Sequence, residues 1–136
     1  MTSLVPIEMP LFEDERGKLT FGEAGRQLPF IPVRYFLVFD TGGEGVVRGG
    51  HAHRRCSQFL VAVSGCVVVT TDDGIKREEH RLDHPEIGLL IPPDVWAEQC
   101  YESTDARLLV LASETYDPAE YINDYGEFLN LSGKPP

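Results

Sequence analysis

A chain of 136 residues is long enough to bury one core without staples and short for two domains, so a single domain over residues 1–136 is expected. Lys and Arg number 12 against 22 Asp and Glu, and the net charge of −10 excludes a nucleic-acid binder, which needs a basic face. No apolar run approaches the roughly 20 residues that cross a bilayer. Met1-Thr-Ser-Leu-Val-Pro lacks the basic start and apolar stretch of a signal peptide, so a cytoplasmic protein with no membrane partner is expected.

Along the chain, short apolar runs alternate with turn signals, the pattern of a sandwich or barrel. Strands are expected at Val33–Phe39, Gln58–Val63, Cys66–Thr71, Lys76–Leu82, Ile87–Ile91 and Arg107–Ala112, all rich in residues that suit a pleated surface. Thr41-Gly-Gly-Glu-Gly45 is the most loop-like stretch, and Asp72-Asp73-Gly74 reads as a hairpin turn. The connections are too short for βαβ crossovers, which makes the sheets antiparallel. Near the end, Asp117-Pro-Ala-Glu120 offers an N-cap, a first-turn proline and a Glu able to close a capping box. Tyr121, Tyr125 and Leu129 follow at helical spacing, with Ile122 and Phe128 beside them, so a helix starting there is expected to pack its tyrosines on the sheet. Residues from Ser132 to Pro136 read as a frayed end.

Cys56, Cys66 and Cys100 are odd in number and widely spaced, which suits small buried apolar residues in a reducing compartment. His80 and His84 flank a turn and read as surface residues. Arg34, Arg48, Arg54 and Arg55 gather basic charge locally in an acidic chain, which leaves room for a small anionic ligand.

The chemistry concentrates at Gly45, His51, His53, Gln58 and Gly65, whose spacing resembles the first motif of the cupins. Residues two apart on a strand face one side, so His51 and His53 point together. A second motif, Gly88-Leu-Leu-Ile-Pro92-Pro-Asp-Val-Trp-Ala97, has the right shape but ends in Ala97 where a further His would stand, and Gln58 replaces the usual Glu. Two good donors fall short of the three that a catalytic metal wants, so metal-free acid/base chemistry without a cofactor is expected. Two adjacent imidazoles also discourage double protonation. Tyr35, on a strand that would line the same cavity, is the candidate hydroxyl for an enolate oxygen or a proton relay.

Over nearly the whole chain the residues resemble the sugar-nucleotide 3,4-ketoisomerases and WxcM-like domains. The resemblance rests on Arg16-Gly17, Arg48-Gly49, His51-Ala-His53, Gln58, Ser64-Gly65, Pro92-Pro-Asp-Val-Trp96, Leu109-Val-Leu-Ala-Ser113 and Tyr116-Asp117 through Phe128-Leu129. It implies an all-β, cupin-type jelly-roll β-barrel with a short C-terminal helix, a homodimer, and a nucleotide-linked keto-deoxysugar as substrate. It further implies movement of a ketone from C4 to C3 of a TDP-4-keto-6-deoxyhexose through an enediol, with His51 and His53 as the acid/base pair. Arg48, Arg16, Arg34, Gln58 and Trp96 become candidate substrate contacts. Leu37 stands where better-studied members carry a Tyr, so Tyr35 would have to substitute for it, and Ala97 stands where they carry His or Arg. A non-catalytic nucleotide-sugar binder, a metal-dependent cupin and a 3,5-epimerase-like activity stand as alternatives.

Overall fold

The computed structural model describes residues 4–131. In chain order its elements are β1 (Ile7–Glu8), β2 (Leu11–Asp14), β3 (Gly17–Thr20), β4 (Arg34–Val38), β5 (Val46–His53) and β6 (Gln58–Ser64). There follow β7 (Val67–Asp72), β8 (Arg77–Leu82), β9 (Ile87–Ile91), β10 (Trp96–Tyr101) and β11 (Arg107–Ala112). A 3₁₀ turn at Pro118–Glu120, β12 (Tyr121–Ile122) and helix α1 (Tyr125–Leu131) complete the described chain. Among the described residues no helix is long and apolar enough to cross a membrane.

Two five-stranded sheets face each other, ordered β1-β9-β6-β11-β4 and β12-β5-β10-β7-β8, and every strand pair in them is antiparallel. Period-two alternation sends Leu60, Ala62, Val67, Val69, Leu89, Ile91, Leu108 and Val110 into the space between them, where they form the main core. The opposite parity of β6 puts Phe59 and Val61 on the outer surface of the first sheet, covered in part by Met9 and Leu28. The second sheet carries α1 on its outside, where Phe128 and Leu129 pack on Ala52, Trp96 and Ile122.

Several expectations are met closely: the β9 and β11 bounds agree, and the turn after β7 is held by Gly74 in the left-handed region, with Asp72 accepting from its N–H at 2.7 Å. Others are corrected. No ladder joins β4 to β5, so the barrel is open along that seam rather than closed by hydrogen bonds. The expected late helix is broken. Asp117 caps only a 3₁₀ turn, accepting from Ala119 N at 3.0 Å, and Tyr121 enters a strand instead. The helix restarts at Tyr125, where Asp124 accepts from Glu127 N at 2.9 Å. His80 is not a surface residue; it faces the core and its Nε2 lies 3.1 Å from Thr71 Oγ1. The expected fraying from Ser132 onwards lies outside the described residues.

Candidate active site

The open seam between β4 and β5 leads into a cavity of about 170 Å³ lined by Phe36, Arg48, His51, Gln58, Gln99 and Tyr101, among others. A break in strand parity builds its basic wall. Ala97 pairs with His51 but Glu98 pairs with Gly49, leaving Gly50 over as a bulge. Arg48 and His51, three residues apart, therefore share the cavity instead of facing opposite sides. Gly49 and Gly50 both hold positive φ, at 88° and 83°, as such a bulge requires of at least one residue.

His51 and His53 sit edge to face with ring centroids 5.1 Å apart, as the i, i+2 spacing dictates. Burial, and next the neighbouring His53, push His51 down to about 4 against the pull of Glu120, so its imidazole is neutral at pH 7. His53 is also lowered, by burial first, with Arg34 adding to it and Glu120 opposing.

Glu120 is the group that the sequence did not disclose. Its side chain is buried, its Oε2 lies 2.7 Å from His53 Nδ1, and its Oε1 accepts the N–H groups of Arg55 and Cys56 at 2.6 Å each. Burial opposes the carboxylate, but those N–H groups and His53 outweigh it and hold the Glu120 carboxyl below its ordinary range. An ionised carboxylate only accepts, so His53 Nδ1 donates to it. The lone pair of the neutral ring is then on Nε2, which is buried and without a hydrogen-bond partner. The short link from β5 to β6 and the 3₁₀ turn create this contact; as a capping-box residue Glu120 would have turned back on its own helix. Tyr121 follows it into β12 and lays its ring 4.4 Å from His53 and 4.9 Å from His51, which makes it part of the site rather than helix packing.

Of the candidate contacts, Arg48 and Gln58 line the cavity with His51. Arg34 approaches from β4, with its guanidinium over the rings of Phe36 and Tyr116 and its Nη2 3.5 Å from Tyr121 Oη. Three candidates fall elsewhere. Tyr35 is on the outer face of β4, 67% exposed and paired with Leu111, because Arg34, Phe36 and Val38 take the inward parity. Trp96 is on the outer face of β10 beneath α1, stacked edge to face on Tyr125 at 5.3 Å. Arg16 is at the tip of the β2–β3 hairpin, 85% exposed at its side chain and ion-paired with Asp14 at 2.6 Å, away from the cavity. Leu37 shares the outward parity of Tyr35, while Ala97 faces the core beside His51.

The donors at the cupin ligand positions do not fit a metal. They are two imidazoles, one of them already committed to Glu120, the Gln58 amide and the Ala97 methyl. Neutral paired imidazoles, one held by a carboxylate, suit proton transfer to and from carbon.

The family model described as FdtA: WxcM-like, C-terminal matches residues 3–133. The TDP-4-oxo-6-deoxy-alpha-D-glucose-3,4-oxoisomerase of Aneurinibacillus thermoaerophilus is 42% identical over 121 residues, covering 89% of this chain and 86% of that protein. A 3,4-ketoisomerase from Helicobacter canadensis superposes with a TM-score of 0.92 at 34% identity, covering 98% of this chain and all of that one. The WlaRB TDP-quinovose 3,4-ketoisomerase of Campylobacter jejuni gives 0.89 at 37% identity, over 96% of this chain and 99% of that one.

Proposed function

The chain belongs to the FdtA, WxcM-like family, and from that footing we propose that it is a sugar-nucleotide 3,4-ketoisomerase acting on a TDP-4-keto-6-deoxyhexose. The observation that carries the chemistry is the pair of neutral imidazoles, His51 lining the cavity and His53 edge to face behind it, with the tautomer of His53 fixed by Glu120 so that its unpartnered Nε2 holds the lone pair.

One imidazole takes the proton from C3, and the C–H electron pair becomes the C3=C4 double bond while the ketone pair moves onto O4. The O3 hydroxyl proton then passes to O4, the C3=O bond forms, and the imidazolium returns a proton to C4. Nothing is oxidised or reduced overall, so the step needs no redox partner. Glu120 keeps His53 in the tautomer that accepts and stabilises it while it carries the proton. Arg48, exposed at the mouth, supplies positive charge for an anionic substrate. Gln58 offers an amide to the sugar, and Arg34 braces Tyr121 over the histidines. The donor set speaks against the metal-dependent alternative, and the named relatives support turnover rather than mere binding.

A homodimer is part of this reading. It is supported by the exposed apolar side chains Val33, Tyr35, Leu37 and Phe39 on and beside the outer face of β4, at 49–67% exposure, the edge strand of the first sheet. The three free thiols of Cys56, Cys66 and Cys100 fit the reducing cytoplasm.

Deuterium from solvent should enter C3 of TDP-4-keto-6-deoxyglucose in the presence of the enzyme, as followed by NMR. Replacing both histidines, His51→Asn with His53→Asn, should abolish it. Exchange that survives the double replacement would remove these residues from the chemistry.

A further inference from the structure

Tyr101 is completely buried, yet its Oη has no hydrogen-bond partner. A buried phenol without a partner costs about 1–3 kcal/mol relative to a satisfied one, so a phenylalanine would serve packing better. The four buried side-chain polar atoms without partners among the described residues are Arg34 Nε, His53 Nε2, Gln58 Nε2 and Tyr101 Oη. They come from four different strands, and Gln58 and Tyr101 line the same cavity as His51 and Arg48. Two unpartnered polar groups from separate strands, Gln58 and Tyr101, on the wall of one cavity mark a ligand-shaped gap rather than scattered packing faults.

The character of that space says which part of a ligand fits. At about 170 Å³ it is smaller than pockets that hold whole drug-sized ligands, so it admits a sugar ring and not an entire nucleotide sugar. Its lining contains no Asp or Glu although the chain carries 22 of them, and Arg48 is its formal charge. A wall of donors and one cation, with no carboxylate, favours an oxygen that becomes negative. No other phenol is available from β4, since Tyr35 points outward and the inward residues there are Arg34, Phe36 and Val38.

We infer that the Tyr101 hydroxyl donates a hydrogen bond to the enediolate oxygen of the sugar, making it a catalytic residue of the ketoisomerase. The inference rests on the ketoisomerase reading and adds to it the oxyanion donor that Tyr35 does not supply. The proton stays on Tyr101 throughout, and the negative charge formed when C3 loses its proton is held until the O3 proton reaches that oxygen. Burial pushes the phenol up to about 12, with Arg48 working the other way, so it remains a donor across the working pH range.

The test is Tyr101→Phe, which removes one oxygen and keeps the ring. With TDP-4-keto-6-deoxyglucose, kcat and kcat/KM should fall together by about 10²-fold, as for loss of one oxyanion donor. The affinity for TDP alone, measured by titration calorimetry, should stay unchanged, and Tm should not drop, because the oxygen has no partner to lose in the free protein. Unchanged kcat would overturn the inference, and so would a parallel loss of TDP affinity, which would assign the phenol to the nucleotide. A drop in Tm matching the loss of activity would overturn it too, as the mark of a structural hydrogen bond. If the unaltered enzyme fails to isomerise the substrate, the ketoisomerase reading itself falls, an outcome distinct from an active enzyme that ignores the replacement.

Discussion

At the scale of single residues, a carboxylate behind an imidazole settles which ring nitrogen faces the substrate. In Glu120→Gln the amide oxygen would still accept from Arg55 and Cys56, leaving the NH₂ to meet His53 Nδ1. That nitrogen would then have to accept, and the ring proton would move to Nε2, so the lone pair would vanish from the nitrogen left without a partner. Such tautomer reversal cost about 10⁴-fold in a Ser-His-Asp triad; here a fall in kcat of at least about 10²-fold with little change in KM is expected from steady-state kinetics. Both histidines have folded-state values below the ordinary 6.5, so the unfolded chain binds more protons than the native one as the solution is acidified. Their contribution to stability is complete above pH 6.5 and, for His51, is lost as pH falls toward about 4. Thermal unfolding followed by circular dichroism should show Tm dropping through that window, and the acid limb of kcat/KM should fall below pH 6.5 rather than at it. Tyr35→Phe is the contrasting case: with its ring on the outer face, kcat should remain unchanged.

At the scale of elements, two strands and one bulge decide the site, and these were the parts least legible in the sequence. Strands with continuous apolar character, such as β6, β9 and β11, declare themselves by composition. β5 reads Val-Val-Arg-Gly-Gly-His-Ala-His and β10 reads Trp-Ala-Glu-Gln-Cys-Tyr, so polar cavity residues mask the alternation in both. The pairing of His51 with His53 was visible because parity over two residues is local. The alliance of Arg48 with His51 depends on the bulge at Gly50, and Glu120 depends on a contact across 67 residues. Tyr35 failed as a candidate because parity tells which residues share a face but not which face turns inward; Phe36 was the better clue. Gly49→Ala tests the bulge. A Cβ there would lie 2.8 Å from Gln99 Oε1 and 3.1 Å from Ala97 O, at a φ of 88° that strains an L side chain. A loss of about 1–3 kcal/mol in chemical denaturation is expected, together with a higher KM as Arg48 shifts against His51.

At the scale of the whole molecule, β4 turns one face to the candidate site and leaves the other, largely apolar, in water. Its inward residues Phe36 and Val38 line the cavity and Arg34 reaches Tyr121, while its outward residues, Tyr35 and Leu37, leave large apolar surfaces in water. As β4 is an edge strand, its free backbone groups add to the tendency to pair. Next to it, an apolar groove of about 250 Å³ is lined by Phe59, Val61, Val63, Leu109 and Leu111, so the same sheet face continues the patch inward from the edge. A second copy covering this face would bury those side chains at roughly 25 cal/mol per Å² of apolar area. Placing a charge at its centre should undo that gain, because a carboxylate stripped of water without a partner is expensive. Tyr35→Glu should therefore convert dimer to monomer in sedimentation velocity, with the two histidines and Glu120 untouched on the other side of the strand. A protein that sediments as a monomer before any replacement would leave the apolar face without its occupant, whereas a Tyr35→Glu dimer would move the interface to another surface.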